Sequence, residues 1–315
     1  MQWSHIKTLF ILSFLVLNIY LLFQFIDKQQ DMDIPELEVN DLNLDEQLDQ
    51  ENITVSADTD FEVPELSYIS STQKEFTQTE IRELNDIDDI DAAKSVDNKL
   101  LTVEFSSPLE IPENLERGDL SDLVSPYVLN TSEFSFGTWN HDLNIIVFYQ
   151  NKEGYPLYLN QHAMLTFYVN DDREITHYTQ TMVGDASTQG STSLNTPKIA
   201  IGTLLQNRFL NAEEEVTNVT YGYYSRIDEE GEGTQVFAPT YKITVAEEDE
   251  ENDYFVNAAE SFTYPGNYTE YFTTKMFEEN YLQKLYSMSE DDEEIADDLI
   301  SIIEDKIEPY RSEPE

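Results

Sequence analysis

The chain has 315 residues, 64 of them Asp or Glu against 17 Lys or Arg, so its formal net charge is -47 and its pI near 4.1. This balance all but excludes nucleic acid, which needs clustered Lys and Arg to neutralise phosphates, and it disfavours an anionic lipid surface. The absence of Cys removes disulfides, thiolate catalysis and thiolate-bound zinc, while 40% hydrophobic and 12% aromatic residues supply core for one or two domains, which argues against global disorder.

Residues 1–8 carry Lys7 and the amino terminus ahead of an uncharged run, LFILSFLVLNIYLLFQFI, at 9–26. At 1.5 Å per residue that run spans about 27 Å, enough to cross a bilayer, and no A-x-A-like site follows it. The pattern predicts an uncleaved transmembrane helix with a cytoplasmic N-terminus and the rest of the chain outside. Ser13, Asn18 and Gln24 are polar positions within the span and candidates for contact with a partner helix. Gln24 can instead snorkel to the outer interface and Ser13 bond to its own helix, whereas Asn18 lies deepest. Trp3 fits an interfacial anchor on the inner side.

Residues 27–66 hold fourteen Asp or Glu and a single Lys, a net of -13, and read as a disordered, self-repelling spacer. Residues 67–184 form the first expected α+β subdomain. Thr77 and Glu80 have the spacing of a capping box, and Ile81, Leu84, Ile87 and Ile90 follow at helical intervals, which predicts a helix over 78–92. A strand at 100–105 and a short helix from Asp119, kinked or ended by Pro126, come next. Strands at 143–150, 155–159, 163–169 and 174–183 are joined by intervals too short for helical crossovers, so this sheet is antiparallel.

Residues 185–262 form the second expected subdomain. Thr196 and Pro197 open an apolar helix running through Ile201 and Leu205 to Leu210, and strands follow at 216–224, 235–245 and 253–259. Helix followed by strands thus occurs twice, which predicts α+β architecture with two side-by-side subdomains, each a helix on an antiparallel sheet. Residues 263–315 read as an acidic, partly helical extension: a helix at 276–288, then Ile295, Leu299, Ile302, Ile303 and Ile307 on one face of another.

Chemistry-bearing motifs are sparse. His5, His141, His162 and His177 have no metal-ligand spacing, and no GxSxG, Walker loop or complete GxGxxG occurs. Asp86, Asp88 and Asp91 resemble the start of a calcium loop, but Gly is missing from its sixth position and Asp97 stands at its twelfth. No catalytic residue, metal ligand or cofactor site is therefore assigned.

Met1-Gln-Trp3-Ser4, Lys7-Thr8 and Phe14-Leu-Val-Leu-Asn18 open an ordered set of segments. It continues with Tyr68, Gln73-Lys-Glu-Phe76, Phe148-Tyr-Gln150, Tyr178-Thr-Gln-Thr181, Gln235-Val-Phe-Ala-Pro-Thr240 and Tyr254-Phe-Val-Asn-Ala258. Together they resemble the YycI-type regulators of low-GC Gram-positive bacteria over residues 1–262. The resemblance implies a single-span membrane protein whose outer region pairs with a YycH-like sister protein. Through transmembrane contacts, the pair modulates a sensor histidine kinase of the YycG/WalK type that controls cell-wall metabolism. It implies no enzymatic activity and gives Asn18 weight as a helix contact. The acidic spacer, the AEEDEEND stretch at 246–253 and the tail after 262 depart from the family pattern. A surface-anchored wall-modifying enzyme, or an extracytoplasmic ligand-binding module, is the alternative reading. With about -25 left to residues 67–287 after spacer and tail are set aside, the fold itself is acidic. Such self-repulsion predicts a medium of high salt or high pH.

Overall fold

The computed structural model describes eight helical positions between 7 and 20, and residues 41–311 apart from 62, 113–116, 191, 226–232, 248–249, 265–267 and 289–292. They fall in two units, Met1–Ile53 and Thr54–Glu315.

In the first unit, Lys7, Phe10, Leu12, Phe14, Leu15, Leu17, Asn18 and Tyr20 are helical. Among the described residues no helix is long and apolar enough to cross a membrane. Helix α1 (Asp41–Gln50) lies where a disordered spacer was expected. The acidic average of the stretch hides Leu44 and Leu48, which share a helix face at a spacing of four and are both buried. Residues 27–40 of the expected spacer lie outside the described residues.

The second unit begins with β1 (Thr54–Val55), β2 (Tyr68–Ser71) and α2 (Gln78–Asn85). The capping box forms as expected: Thr77 N–H donates to Glu80 Oε2 at 2.7 Å and Glu80 N–H to Thr77 Oγ1 at 3.2 Å. The helix is shorter than its apolar spacing predicts. Asn85 ends it, exchanging hydrogen bonds of 2.9 Å with the Ala93 backbone, so Ile90 opens a strand instead of a last helical turn. The chain continues through β3 (Ile90–Val96), β4 (Leu100–Glu110), α3 (Arg117–Val124), β5 (Phe134–Asn140), β6 (Ile145–Lys152), β7 (Tyr155–Tyr158), β8 (Met164–Val169) and β9 (Glu174–Gln180). After β10 (Ser187–Gln189) come α4 (Pro197–Gln206), β11 (Glu215–Ser225), β12 (Gln235–Glu247), β13 (Glu250–Asn257) and β14 (Thr263–Tyr264). The AEEDEEND stretch lies at the β12–β13 hairpin, with Ala246 opposite Glu251.

The α+β class and the antiparallel meander are as the sequence predicts, but the two subdomains do not have separate sheets. A single hydrogen-bonded path runs β10-β2-β12-β11-β7-β6-β8-β9-β4-β3. Strand β2, early in the chain, pairs with β10 and β12 among the late strands. Short β7 joins the halves: it is antiparallel to β6 and parallel to β11, with Tyr223 opposite Leu157.

Gly222 makes that junction possible. A Cβ there would stand 2.6 Å from the Pro156 carbonyl oxygen and collide with the Tyr158 ring, whose hydroxyl is fixed by a 2.9 Å bond to the Tyr221 carbonyl. We expect Gly222→Ala to destabilise the fold by about 1–3 kcal/mol, read as a lower urea midpoint. An unchanged midpoint would mean that the two halves are not held in this register.

Strands β6 and β8 are buried on both faces, which explains their near-continuous apolar runs. Ile146, Phe148, Leu165 and Phe167 face one cluster with Ile81 and Leu84 of α2 and Leu120 and Val124 of α3. Ile145, Val147, Tyr149, Met164 and Tyr168 face the other, which the C-terminal segment closes. There α5 spans residues 268–285, π-helical over Tyr271–Tyr281, and α6 (Glu293–Ile307) presents Leu299, Ile303 and Ile307. What reads as an extension is thus the third layer of the fold. The expected helix at 276–288 begins eight residues earlier and winds differently. Its buried residues recur every five positions, Tyr271, Met276 and Tyr281 beside Phe272, Phe277 and Leu282, in step with i→i+5 hydrogen bonding.

Candidate functional site

Four stretches far apart in the chain meet around one cavity of about 900 Å³ in the second unit. The first is the segment after β2, which contributes Gln73 and Glu75. Gln73 is bridged to Val183, and Lys74 N–H donates to the Met182 carbonyl at 2.8 Å, so this segment has strand-like support without belonging to the sheet. The second is the β3–β4 turn, Asp97, Asn98 and Lys99. Asp97 and Asn98 have φ of 50° and 57°, and Lys99 N–H donates to the Val96 carbonyl at 2.9 Å. Consecutive left-handed positions define a primed hairpin turn, for which Asp and Asn are favoured. The Asn98 carbonyl accepts a 2.6 Å bond from Phe76 N–H, which locks the first stretch to the second.

The third stretch is the β7–β8 turn. Asn160 Oδ1 accepts from His162 N–H at 2.9 Å, and Thr181 Oγ1 donates to the Gln161 carbonyl at 2.9 Å. These bonds hold Gln161 and His162 against the cavity, with His162 only 7% exposed. The fourth is α5, which supplies Lys275, Glu279, Asn280, Gln283 and Lys284, with Ser287 just beyond it. Lys275 and Glu279 form an ion pair at 2.7 Å.

The electrostatics follow from burial. Desolvation, with the nearby charges of Lys284 and Lys99 adding to it, pulls His162 down to about 4, so its imidazole is neutral near neutral pH. Lys284 is pulled down to about 8 by desolvation, against the attraction of Asp97 and with the repulsion of Lys99. Four lining residues carry a buried polar atom without a hydrogen-bond partner: Gln73 Nε2, His162 Nδ1, Asn280 Oδ1 and Lys284 Nζ. Each such group costs about 1–3 kcal/mol of desolvation.

Of the residues singled out in the sequence, Asn18 is helical and exposed, while Trp3, Ser13 and Gln24 lie outside the described residues. Asp86, Asp88 and Asp91 do not converge, and among the described residues no group of three or more His, Asp or Glu could hold a metal ion. Asp89, next to them, instead accepts a 3.0 Å bond from the Tyr127 hydroxyl. The cavity residues escaped sequence reading because no local motif contains them. Only the Asp97-Asn98 turn and the 73–76 segment carry a local signal.

Comparison with known proteins gives one family. A family model described as YycI protein matches residues 33–259. A search of curated proteins returns no significant match. Among solved structures, an uncharacterized protein from Eubacterium rectale is 11% identical, with a TM-score of 0.42, 68% of this chain covered and 91% of that one. The C-terminal domain of Bacillus megaterium YpeB is 10% identical, with a TM-score of 0.36 and coverage of 60% and 96%.

Proposed function

Because the chain belongs to the YycI family, we propose that it is a non-enzymatic, membrane-anchored regulator of a sensor histidine kinase of the YycG/WalK type, which controls cell-wall metabolism. The family match over residues 33–259 carries this reading. In it, residues 9–26 cross the membrane, the C-terminal region lies outside and pairs with a YycH-like sister protein, and the signal passes between transmembrane helices. The exposure of Phe10, Leu12, Phe14, Leu15, Leu17 and Tyr20, each at least half accessible, supports a helix surrounded by lipid or by other helices. A regulator of this kind biases the kinase only by binding one of its states better than the other.

Replacing residues 9–26 with an unrelated apolar helix tests the proposal. Kinase output and co-purification with the sister protein should both change, and the idea fails if neither does. A finer test is Asn18→Leu. Loss of an interhelical hydrogen bond at that depth weakens association by about 1 kcal/mol, roughly fivefold, measured by energy transfer between labelled helices in vesicles. Undiminished association would remove Asn18 from the contact.

A further inference from the structure

We propose that the C-terminal layer, α5 and α6, is an acid-released strap: two histidines buried beneath it take up protons freely only when it lifts off, so mild acid opens it while the rest of the second unit stays folded. The geometry of the contact carries this. His177 stands opposite Tyr168 in the β8–β9 register, and Tyr168 faces the cluster that the C-terminal layer closes, so the His177 ring lies between the sheet and α6. Neither of its nitrogens has a hydrogen-bond partner. Glu104 on β4 is 3.9 Å away, and Asp298 of α6 is the other charge that acts on it. His162 lies beneath α5, its Nδ1 also buried and unpaired. The charges around it are Lys275, Glu279 and Lys284 of α5, Asp97 and Lys99 of the β3–β4 turn, and Glu75; of these, Lys284 and Lys99 act against an imidazolium.

The layer is attached in a way that lets it leave as a unit. Among the described residues, every backbone hydrogen bond of 268–311 stays within the segment. Its ties to the sheet are side-chain bonds, such as Lys306 Nζ to the Asn144 and Val169 carbonyls at 3.2 and 3.0 Å and the Tyr268 hydroxyl to Asp253 at 2.8 Å. Two hydrophobic clusters contain no residue beyond Phe237 and so survive its departure. One joins Phe148 and Phe167 to Ile81 and Leu120, the other Leu157 and Tyr223 to Ile69 and Phe237. Burial holds both rings at about 4, against about 6.5 once they meet water. The open state therefore gains protons first, and closure weakens as pH falls from 6.5 towards 4. Acid also trims the charge of a chain at -47, which by itself eases the packing of an acidic segment on an acidic body, so release in acid points to the rings.

The test is hydrogen exchange of the full-length chain in detergent, read by mass spectrometry between pH 7 and pH 5 and corrected for the intrinsic pH dependence of exchange. Peptides from 268–307 should lose protection in acid while β9 and β11 keep theirs. Between pH 6 and pH 5 the opening constant of the layer should rise about fiftyfold, two protons being taken up. His162→Gln and His177→Gln should each cut that rise to about sevenfold, and the double variant should abolish it. A layer as protected at pH 5 as at pH 7, β9 and β11 opening in step with it, or a double variant with the parent's pH dependence each overturns the proposal. The first two outcomes are read on the parent alone and do not depend on any variant folding. No kinase enters this measurement, so its failure leaves the regulatory reading standing.

Discussion

Phe277→Ala should destabilise the fold by about 3–5 kcal/mol, the range for deleting a fully buried aromatic side chain, and a urea titration of the full-length chain reads it directly. Phe277 is 0% exposed. Its ring lies 6.1 Å from that of Tyr168 on β8 and 6.2 and 6.5 Å from those of Tyr281 and Phe272 on its own helix. The loss is large because α5 closes one face of a sheet whose other face is already covered by α2 and α3. If residues 263–315 were an appendage, removing one ring from them would change the midpoint by a few tenths of a kcal/mol at most. A small effect would therefore refute the three-layer arrangement.

The second large effect is sensitivity to mild acid. His162 and His177 are each 7% exposed, and desolvation brings both down to about 4. Lys284 and Lys99 reinforce the shift at His162, while Asp298 opposes it at His177, whose Nε2 is 3.9 Å from Glu104. The unfolded chain takes up protons on these rings near pH 6.5, before the folded one does, so folding stability falls as pH drops from 6.5 towards 4. Each ring contributes up to about 3 kcal/mol over that window. Urea midpoints between pH 7 and pH 4.5 should fall steeply in the parent and about half as steeply in His177→Gln. A flat parent profile would show that the rings are solvated. The carboxylates of Glu80 and Glu133, held below their usual range by Lys74 and Lys152, weaken the fold only at lower pH. At the other end of the scale, Lys284 and Lys306 are both pulled down to about 8 by burial, so their contribution to stability rises from pH 8 to about 10.5. The buried tyrosines, Tyr149 and Tyr178 among them, are raised above their usual range and oppose this gain above pH 10.

Local signals in the sequence survived folding, and long-range ones did not announce themselves. The Thr77 and Glu80 capping box and the Ile295–Leu299–Ile303–Ile307 face of α6 are both present in the structure because their causes lie within a turn or two of helix. Helix α2 ended early because the Asn85 side chain bonds a strand eight residues on, which no helical periodicity encodes. Leu44 and Leu48 were lost in an average dominated by charge. The stretch at 143–150 was legible as a strand of the antiparallel meander, but not that both its faces are covered, the second from the far end of the chain. Helix α5 was legible only in part, since a search at 3.6 residues misses a buried stripe that repeats every five. The cavity was illegible for a related reason: Gln73, His162 and Lys284 are ordinary residues until the sheet brings them together.

That the third layer comes last in the chain sets a timetable for synthesis. Strand β8 ends at Val169, whereas the residues that cover its second face, Phe277 to Ile307, are among the final fifty. At roughly 5–20 residues per second a ribosome needs on the order of 10 s to make the intervening chain. During that interval Ile145, Val147, Met164 and Tyr168 lack the cover that α5 and α6 supply, so the nascent protein presents an adhesive apolar face. A premature stop codon between residues 266 and 315 should therefore yield aggregate instead of a shortened folded chain, read as loss of the protein from the supernatant.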